Sequence, residues 1–302
     1  MNKKNSIINN TKELFKELSI TKNTLSQKQK HDLHNKGFLI IPPTLFMKKN
    51  IKLLKKITKQ LIKKEGNKGG WEGKEKYYKK GKLFEKGTDR LGNLINKHKV
   101  FQEMITIPEI LAATYEIVGS DIKIAGANLR SPLKSSGRQK IHMDWKPRKN
   151  KKESFAGVVC FMFIDDANKK NGALRLIPGS HKKIGWPEKH IDVNKTNKKE
   201  IRAEVCAGTI IVANLNLWHG GAENFSGKER KMIMINIKKR KLPQLINYKK
   251  FLSLKTKKNL TETQKYLLAV RKSDLTQKSD SIGVGKYYKN DFYLDKNKNN
   301  KL

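Results

Sequence analysis

The stretch from residue 122 to 237 constrains the fold most. It breaks into short apolar runs at 122–129, 139–144, 155–164, 173–177, 209–215 and 231–237, with turn residues between them and no helical pattern linking them. Asp165, Asp166, Asn168, Asn171 and Gly172 mark one turn, and Pro178, Gly179 and Ser180 mark another. Consecutive strands without crossover helices do not build a parallel βαβ sheet. They favour an antiparallel sandwich or barrel, so the fold expected is mainly β.

The flanks read differently. Thr24, Ser26, Gln27 and Gln29 offer overlapping capping-box signals for a helix that Gly37 would end, followed by an apolar run at 38–41 and two prolines. Ile51, Leu54, Ile57, Leu61 and Ile62 recur at helical spacing within 47–64, and Gly66 supplies the stop. A glycine- and lysine-rich stretch at 67–89 carries Trp71, Tyr77, Tyr78 and Phe84; it reads as a surface loop or as a lid over a pocket. Pro108 suits the first turn of a helix running to Gly119, and Thr261 with Gln264 introduces a short C-terminal helix at 262–270. The organisation expected is one domain over 1–302. It comprises a helical N-terminal region (1–121), a β core (122–241) and a lysine-rich extension (242–302) whose end is disordered.

Charge narrows the function. The 302 residues hold 67 Lys+Arg against 27 Asp+Glu, a formal net charge of +40, which invites a nucleic-acid or membrane partner. The excess is mostly lysine scattered among Asn and Ile, whereas a nucleic-acid reader adds arginine forks and an aromatic platform. A solvated surface is therefore expected, with no specific nucleic acid and no membrane as partners. Residues 101–121 and 201–227 contain no lysine and mark the interior. Cys160 and Cys206 sit in apolar company and read as small buried hydrophobes, which fits a reducing compartment. The N-terminus lacks the apolar core of a signal peptide and no run approaches eighteen apolar residues, so the expectation is a soluble cytoplasmic protein.

The chemistry lies in four residues. His142 and Asp144 stand two apart, which on a strand sends both side chains from one face. His219 follows a long apolar run and precedes Gly220 and Gly221, which let backbone approach a small site. Two histidines and one carboxylate form the facial set that holds iron(II) and leaves positions open, whereas a structural zinc site closes its coordination sphere. Arg230 enters an apolar strand, where a buried guanidinium needs an anionic partner such as a carboxylate.

The order His142-Met143-Asp144, Asn171-Gly172-Ala173-Leu174, Ile177-Pro178-Gly179-Ser180-His181, Trp218-His219-Gly220 and then Arg230 resembles the phytanoyl-CoA dioxygenase family. With Gly37-Phe38 and Gly119 the resemblance covers roughly residues 25 to 240. It implies a double-stranded β-helix (a jelly roll) that uses iron(II), 2-oxoglutarate and dioxygen to hydroxylate a small molecule. It implies His142, Asp144 and His219 as metal ligands and Arg230 as the 2-oxoglutarate arginine, with Asn128 and Gln139 near the cosubstrate. Because Asp144 is a carboxylate, the resemblance argues against halogenation. One departure stands out: family members often carry a hydroxyl residue two positions after the second histidine, and Gly221 stands there.

Other polar residues carry two readings each. Trp145 and Arg138, with Lys140 and Arg148, flank the ligand segment and would suit an anionic or planar substrate, or else form a solvated rim. His31 and His34 read as surface residues, and His181 as part of a structural turn. Two rival functions stay open at the level of sequence: a cupin-like metal isomerase or hydrolase without 2-oxoglutarate, and a basic nucleic-acid-binding protein on an inactive jelly roll. Neither the substrate nor the oligomeric state is written in the sequence.

Overall fold

The structure is a computed structural model that describes residues 7–66 and 87–274. The aromatic-rich segment read as a loop or lid lies, up to residue 86, outside the described residues, as does the C-terminal end read as disordered.

Six antiparallel strands form the larger sheet, in the order β1 (Phe38–Ile41), β7 (Ile210–Asn214), β4 (Gly157–Phe163), β9 (Met232–Lys239), β3 (Ile122–Pro132) and β2 (Thr88–Leu91). The smaller sheet runs β6 (Ile201–Ala203), β5 (Leu174–Leu176), β8 (His219–Gly221). The sequence reading of 139–144 as a regular strand is corrected. The segment is extended and joins the free edge of β8 through a single bridge between His142 and His219. The Ile141 amide donates to Val193 in a loop rather than to a further strand, so no continuous ladder forms. With that segment counted, two four-stranded layers face each other inside the assembly, the arrangement of a double-stranded β-helix, and β1 and β2 extend the larger layer at its edges.

Alternation builds the layers. On β4, Val158, Cys160 and Met162 point to the helices, while Val159, Phe161 and Phe163 point to the smaller sheet. On β9, Ile233, Ile235 and Ile237 join the helical side and Met232 the inter-sheet core. Both faces of the larger sheet are thus covered, which is why these strands read as nearly unbroken apolar runs. Each such Val, Ile or Phe contributes about 1.5–3 kcal/mol by burial.

Helices cover the outer face. α1 (Thr11–Glu17), α2 (Gln27–Asn35), α3 (Leu45–Glu65), α4 (Lys99–Met104) and α5 (Pro108–Val118) precede β3. After β9 come α6 (Tyr248–Phe251), α7 (Leu254–Asn259) and α8 (Glu262–Leu268). Ser26 and Gln29 close a capping box on α2, and Thr261 and Gln264 close one on α8. Leu33, Leu54, Ile110, Leu111, Tyr266 and Leu267 seal the sheet. Helix contributes more residues than strand, so "mainly β" describes the core rather than the whole chain.

Two further readings change. Cys206 is exposed, because residues 206–209 form the turn into β7, outside both packed faces. Several lysines are buried rather than solvated, two of them in ion pairs. Lys97 meets Glu65 at 2.6 Å with both side chains fully buried, and Lys231 meets Asp165 at 3.0 Å. In both, a carboxylate offsets the cost of burying the ammonium.

Gly37 sits between α2 and β1 at φ +85°, and a Cβ there would fall 2.4 Å from His181 Nδ1 and 2.9 Å from a Leu217 methyl. A Gly37→Ala substitution is therefore expected to lower the unfolding free energy by more than about 1 kcal/mol. Urea denaturation checks this, and an unchanged midpoint would contradict the packing described.

Candidate metal centre

Local backbone pairing assembles the centre. The His142 amide donates to the His219 carbonyl at 2.9 Å and the His219 amide returns a bond to the His142 carbonyl at 2.8 Å. This reciprocal exchange is the hydrogen-bonded pair of an antiparallel ladder, in which opposed residues share one face. The two imidazole centroids accordingly lie 4.5 Å apart. Asp144 follows on, its amide donating to the Leu215 carbonyl at 2.9 Å. Asn216 ties the two ligand-bearing segments together by donating its side-chain amide to the Lys146 carbonyl at 3.0 Å.

One ligand atom from each of His142, Asp144 and His219 lies within 4.8 Å of the others. The Asp144 carboxylate oxygens stand 3.9 Å from His142 Nε2 and 3.8 Å from His219 Nε2, too far for direct hydrogen bonds. Each histidine bonds through Nδ1 to a backbone carbonyl two residues earlier: His142 to Lys140 at 2.9 Å and His219 to Leu217 at 2.9 Å. A carbonyl only accepts, so Nδ1 carries the proton and Nε2 presents its lone pair toward the carboxylate. Burial pushes the His219 imidazole down to about 4, opposed by Asp144 and reinforced by His142. It is neutral at neutral pH, the state a metal requires. The donor set and its geometry fit a divalent transition metal such as iron(II).

The triad borders a cavity of about 240 Å³ between the sheets. Asn128 and Gln139 line it, as do Arg130, Arg90, Phe161 and the inward row Met232, Met234 and Asn236 of β9. Asn128 Oδ1 is buried with no hydrogen-bond partner among the described residues, and Gln139 Oε1 accepts from the Gly221 amide at 3.0 Å. A polar ligand in the cavity would satisfy the first.

Arg230 is fully buried two residues before β9, with Nη1 3.5 Å from the Met232 sulfur. The remaining candidates are placed elsewhere. Arg138 is a surface side chain donating to the Asn194 carbonyl at 2.9 Å. Trp145 packs against the inter-sheet core beneath Lys238, whose Nζ lies 4.2 Å from the ring centroid. His181 is buried against Phe155, with Nε2 3.1 Å from the His34 carbonyl, and takes no part in the centre.

Sequence reasoning missed Arg130, Arg90 and the β9 row. Their signal was positional: Arg130 is two residues from Asn128 and shares its face, and Arg90 pairs opposite Arg130. The hydroxyl that the resemblance leads one to expect at position 221 is absent. A Cβ built on Gly221 would lie 2.7 Å from Arg130 Nη1, so the guanidinium takes that space.

Comparison with known proteins decides the family. The family model for phytanoyl-CoA dioxygenase (PhyH) matches residues 33–232. The chain belongs to the phytanoyl-CoA dioxygenase family. A dioxygenase of Penicillium canescens is 28% identical over 157 residues, 49% of this chain and 50% of the relative. A probable alpha-ketoglutarate-dependent hypophosphite dioxygenase of Stutzerimonas stutzeri is 22% identical over 165 residues, 49% and 57% of the two chains. The matched regions span between 33% and 57% of the lengths of the curated relatives. Among solved structures, HygX from Streptomyces hygroscopicus, crystallised with nickel and 2-oxoglutarate, superposes with a TM-score of 0.58 at 14% identity. That match covers 73% of this chain and 89% of HygX, and it shows the shared jelly-roll fold. Among the described residues no helix is long and apolar enough to cross a membrane.

A pH dependence follows for the metal-free protein. Burial holds both His181 and His219 at about 4 in the fold, against about 6.5 when unfolded. Below pH 6.5 the unfolded chain therefore takes up protons first. Stability is complete above that pH, declines as the pH falls toward 4, and declines no further below it through these groups. The slope is roughly 1.4 kcal/mol per pH unit for each. Urea unfolding at pH 7 and pH 5 should show the loss, and His181→Asn should remove about half of it. A slope identical in the two proteins would remove His181 from this account.

Proposed function

We propose that this family member is a dioxygenase that uses iron(II), 2-oxoglutarate and dioxygen to hydroxylate a small molecule, releasing succinate and carbon dioxide. The observation that carries the reading is the three-ligand cluster at the cavity: two imidazole nitrogens and one carboxylate, each fixed by backbone bonds, all reaching one point. His142, Asp144 and His219 would hold the metal on one face.

When bound, iron(II) and 2-oxoglutarate together supply the oxidation of a C–H bond. The chain's own residues do the rest. His219, nearly fully buried, forms the deep wall of the site, and the half-exposed His142 and Asp144 face its open side. Asn128 and Gln139 offer polar groups to the cosubstrate, and Arg230, fully buried beside the Met232 sulfur, is the cation for its far carboxylate. Phe161, Leu174, Met232 and Met234 supply the apolar part of the lining, against which a substrate would be oriented by shape. The cavity's size suits a small-molecule substrate.

Alanine in place of His142 or Asp144 is expected to bring succinate formation to background while the urea midpoint of the metal-free protein stays near that of the unaltered chain. Anaerobic addition of iron(II) and 2-oxoglutarate should produce a visible charge-transfer absorption that both variants lack. Wild-type 2-oxoglutarate consumption by either variant would exclude it as a ligand.

A further inference from the structure

We propose that the outer face of the smaller sheet carries a second binding site, separate from the metal centre, for an organic anion: a phosphate or carboxylate joined to an apolar ring.

Alternation along the ligand-bearing segments creates the site. His142 and His219 face the cavity between the sheets, so Ile141, Met143 and Trp218, their neighbours in the chain, leave by the opposite face. There they pack with Ile177 and Val193 in a small apolar cluster. Against this cluster lies a cavity of about 550 Å³, with the buried Ile177 and Trp218 in its lining. It shares no lining residue with the cavity of the metal centre. The Trp218 amide donates to Ser180 Oγ at 2.9 Å and the Ile177 amide to the Trp218 carbonyl at 3.0 Å, so this wall is fixed.

Two features of the lining call for a ligand. Trp218 is 3% exposed, and its Nε1 is buried with no hydrogen-bond partner among the described residues. Buried donors in folded proteins nearly always have an acceptor, and here the chain supplies none. The second feature is charge. Lys183, Lys198 and Lys199 are exposed around the cavity, and none of them forms an ion pair among the described residues. No carboxylate lines it. The nearby acids are engaged elsewhere: Glu188 with Lys140 at 3.5 Å, Asp192 with Lys195 at 3.6 Å and Glu200 with Arg175 at 2.7 Å.

The lining defines what fits. Indole N–H and ammonium groups are all donors, and an oxyanion, which only accepts, answers both. Lysine stems are long enough to follow it into the cavity. Ile177, Pro178 and Ile191 offer apolar walls to the rest of the ligand, and the exposed His190 ring, 5.2 Å from the Trp218 ring between centroids, offers a planar one.

The test is titration of the full chain, with its tryptophans labelled with nitrogen-15, by phenyl phosphate, benzoate, inorganic phosphate and benzyl alcohol. The Trp218 indole signal is identified by its loss in Trp218→Phe. At least one of the two ring-bearing acids is expected to move that signal and to bind about tenfold or more tightly than inorganic phosphate or benzyl alcohol, each of which has only half of the required chemistry. The tighter of the two acids names the head group. Replacing Lys198 and Lys199 together by alanine should weaken that acid about fivefold or more. Replacing the exposed Lys255 and Lys258 of α7 should change it by less than about twofold, because distant charges are screened. Three results would each overturn the proposal: a Trp218 signal that neither acid moves, inorganic phosphate or benzyl alcohol binding as tightly as the better acid, or equal losses in the two lysine pairs.

Discussion

Two backbone hydrogen bonds between His142 and His219 set everything else at the centre. Each residue donates to the other, so their side chains must leave the pair together on one face, whatever the surrounding sequence. A slip of one residue in that pairing would send one imidazole to the far side of the smaller sheet. Register is protected on both flanks. Gln139 is bonded through its amide to Gly221 and through its carbonyl to the buried Arg175, and Asp144 is bonded to Leu215.

The larger sheet supplies the rigidity that this arrangement needs. Its outer face is sealed by helices from both ends of the chain, and its inner face presses on the smaller sheet. Strands buried on both sides cannot shift without opening cavities, and the cost of such voids keeps the inward row of β9 aimed at the same space. Two charged groups of that interior show how they are accommodated. Glu200 meets the buried Arg175 at 2.7 Å, and Lys238 rests over the Trp145 ring at 4.2 Å.

Much of this was legible in the sequence, and what was missed shares a physical cause. The capping residues of α2 and α8, the long helix ending at Gly66 and the strands of the larger sheet other than β2 carry local signals. Asn128 and Gln139, assigned to the cosubstrate region by resemblance, do line the cavity. The three-residue strands β6 and β8 carry no periodicity to detect, and β2 is too polar to read as a strand. Trp145 and Arg138 were singled out by nearness to His142 in the chain; Trp145 packs beneath Lys238, and Arg138 donates to the Asn194 carbonyl. Arg130 and Arg90 are far from the ligands in the chain, and only cross-strand pairing brings them into the wall. Charge was the least informative feature, since a lysine-rich surface says little about a site built from histidine, aspartate and arginine.

The carbonyls behind the two imidazoles belong to the main chain of residues 140 and 217, not to side chains. Substitutions at those positions can change size or polarity without removing the groups that set the imidazole tautomers. The geometry of the three-ligand cluster is therefore insulated from mutational drift. Diversification of what the pocket accepts would fall on the inward positions of β3 and β9, where the side chain itself forms the surface. A chain of this design can change what its cavity accepts while the three-ligand cluster stays as it is.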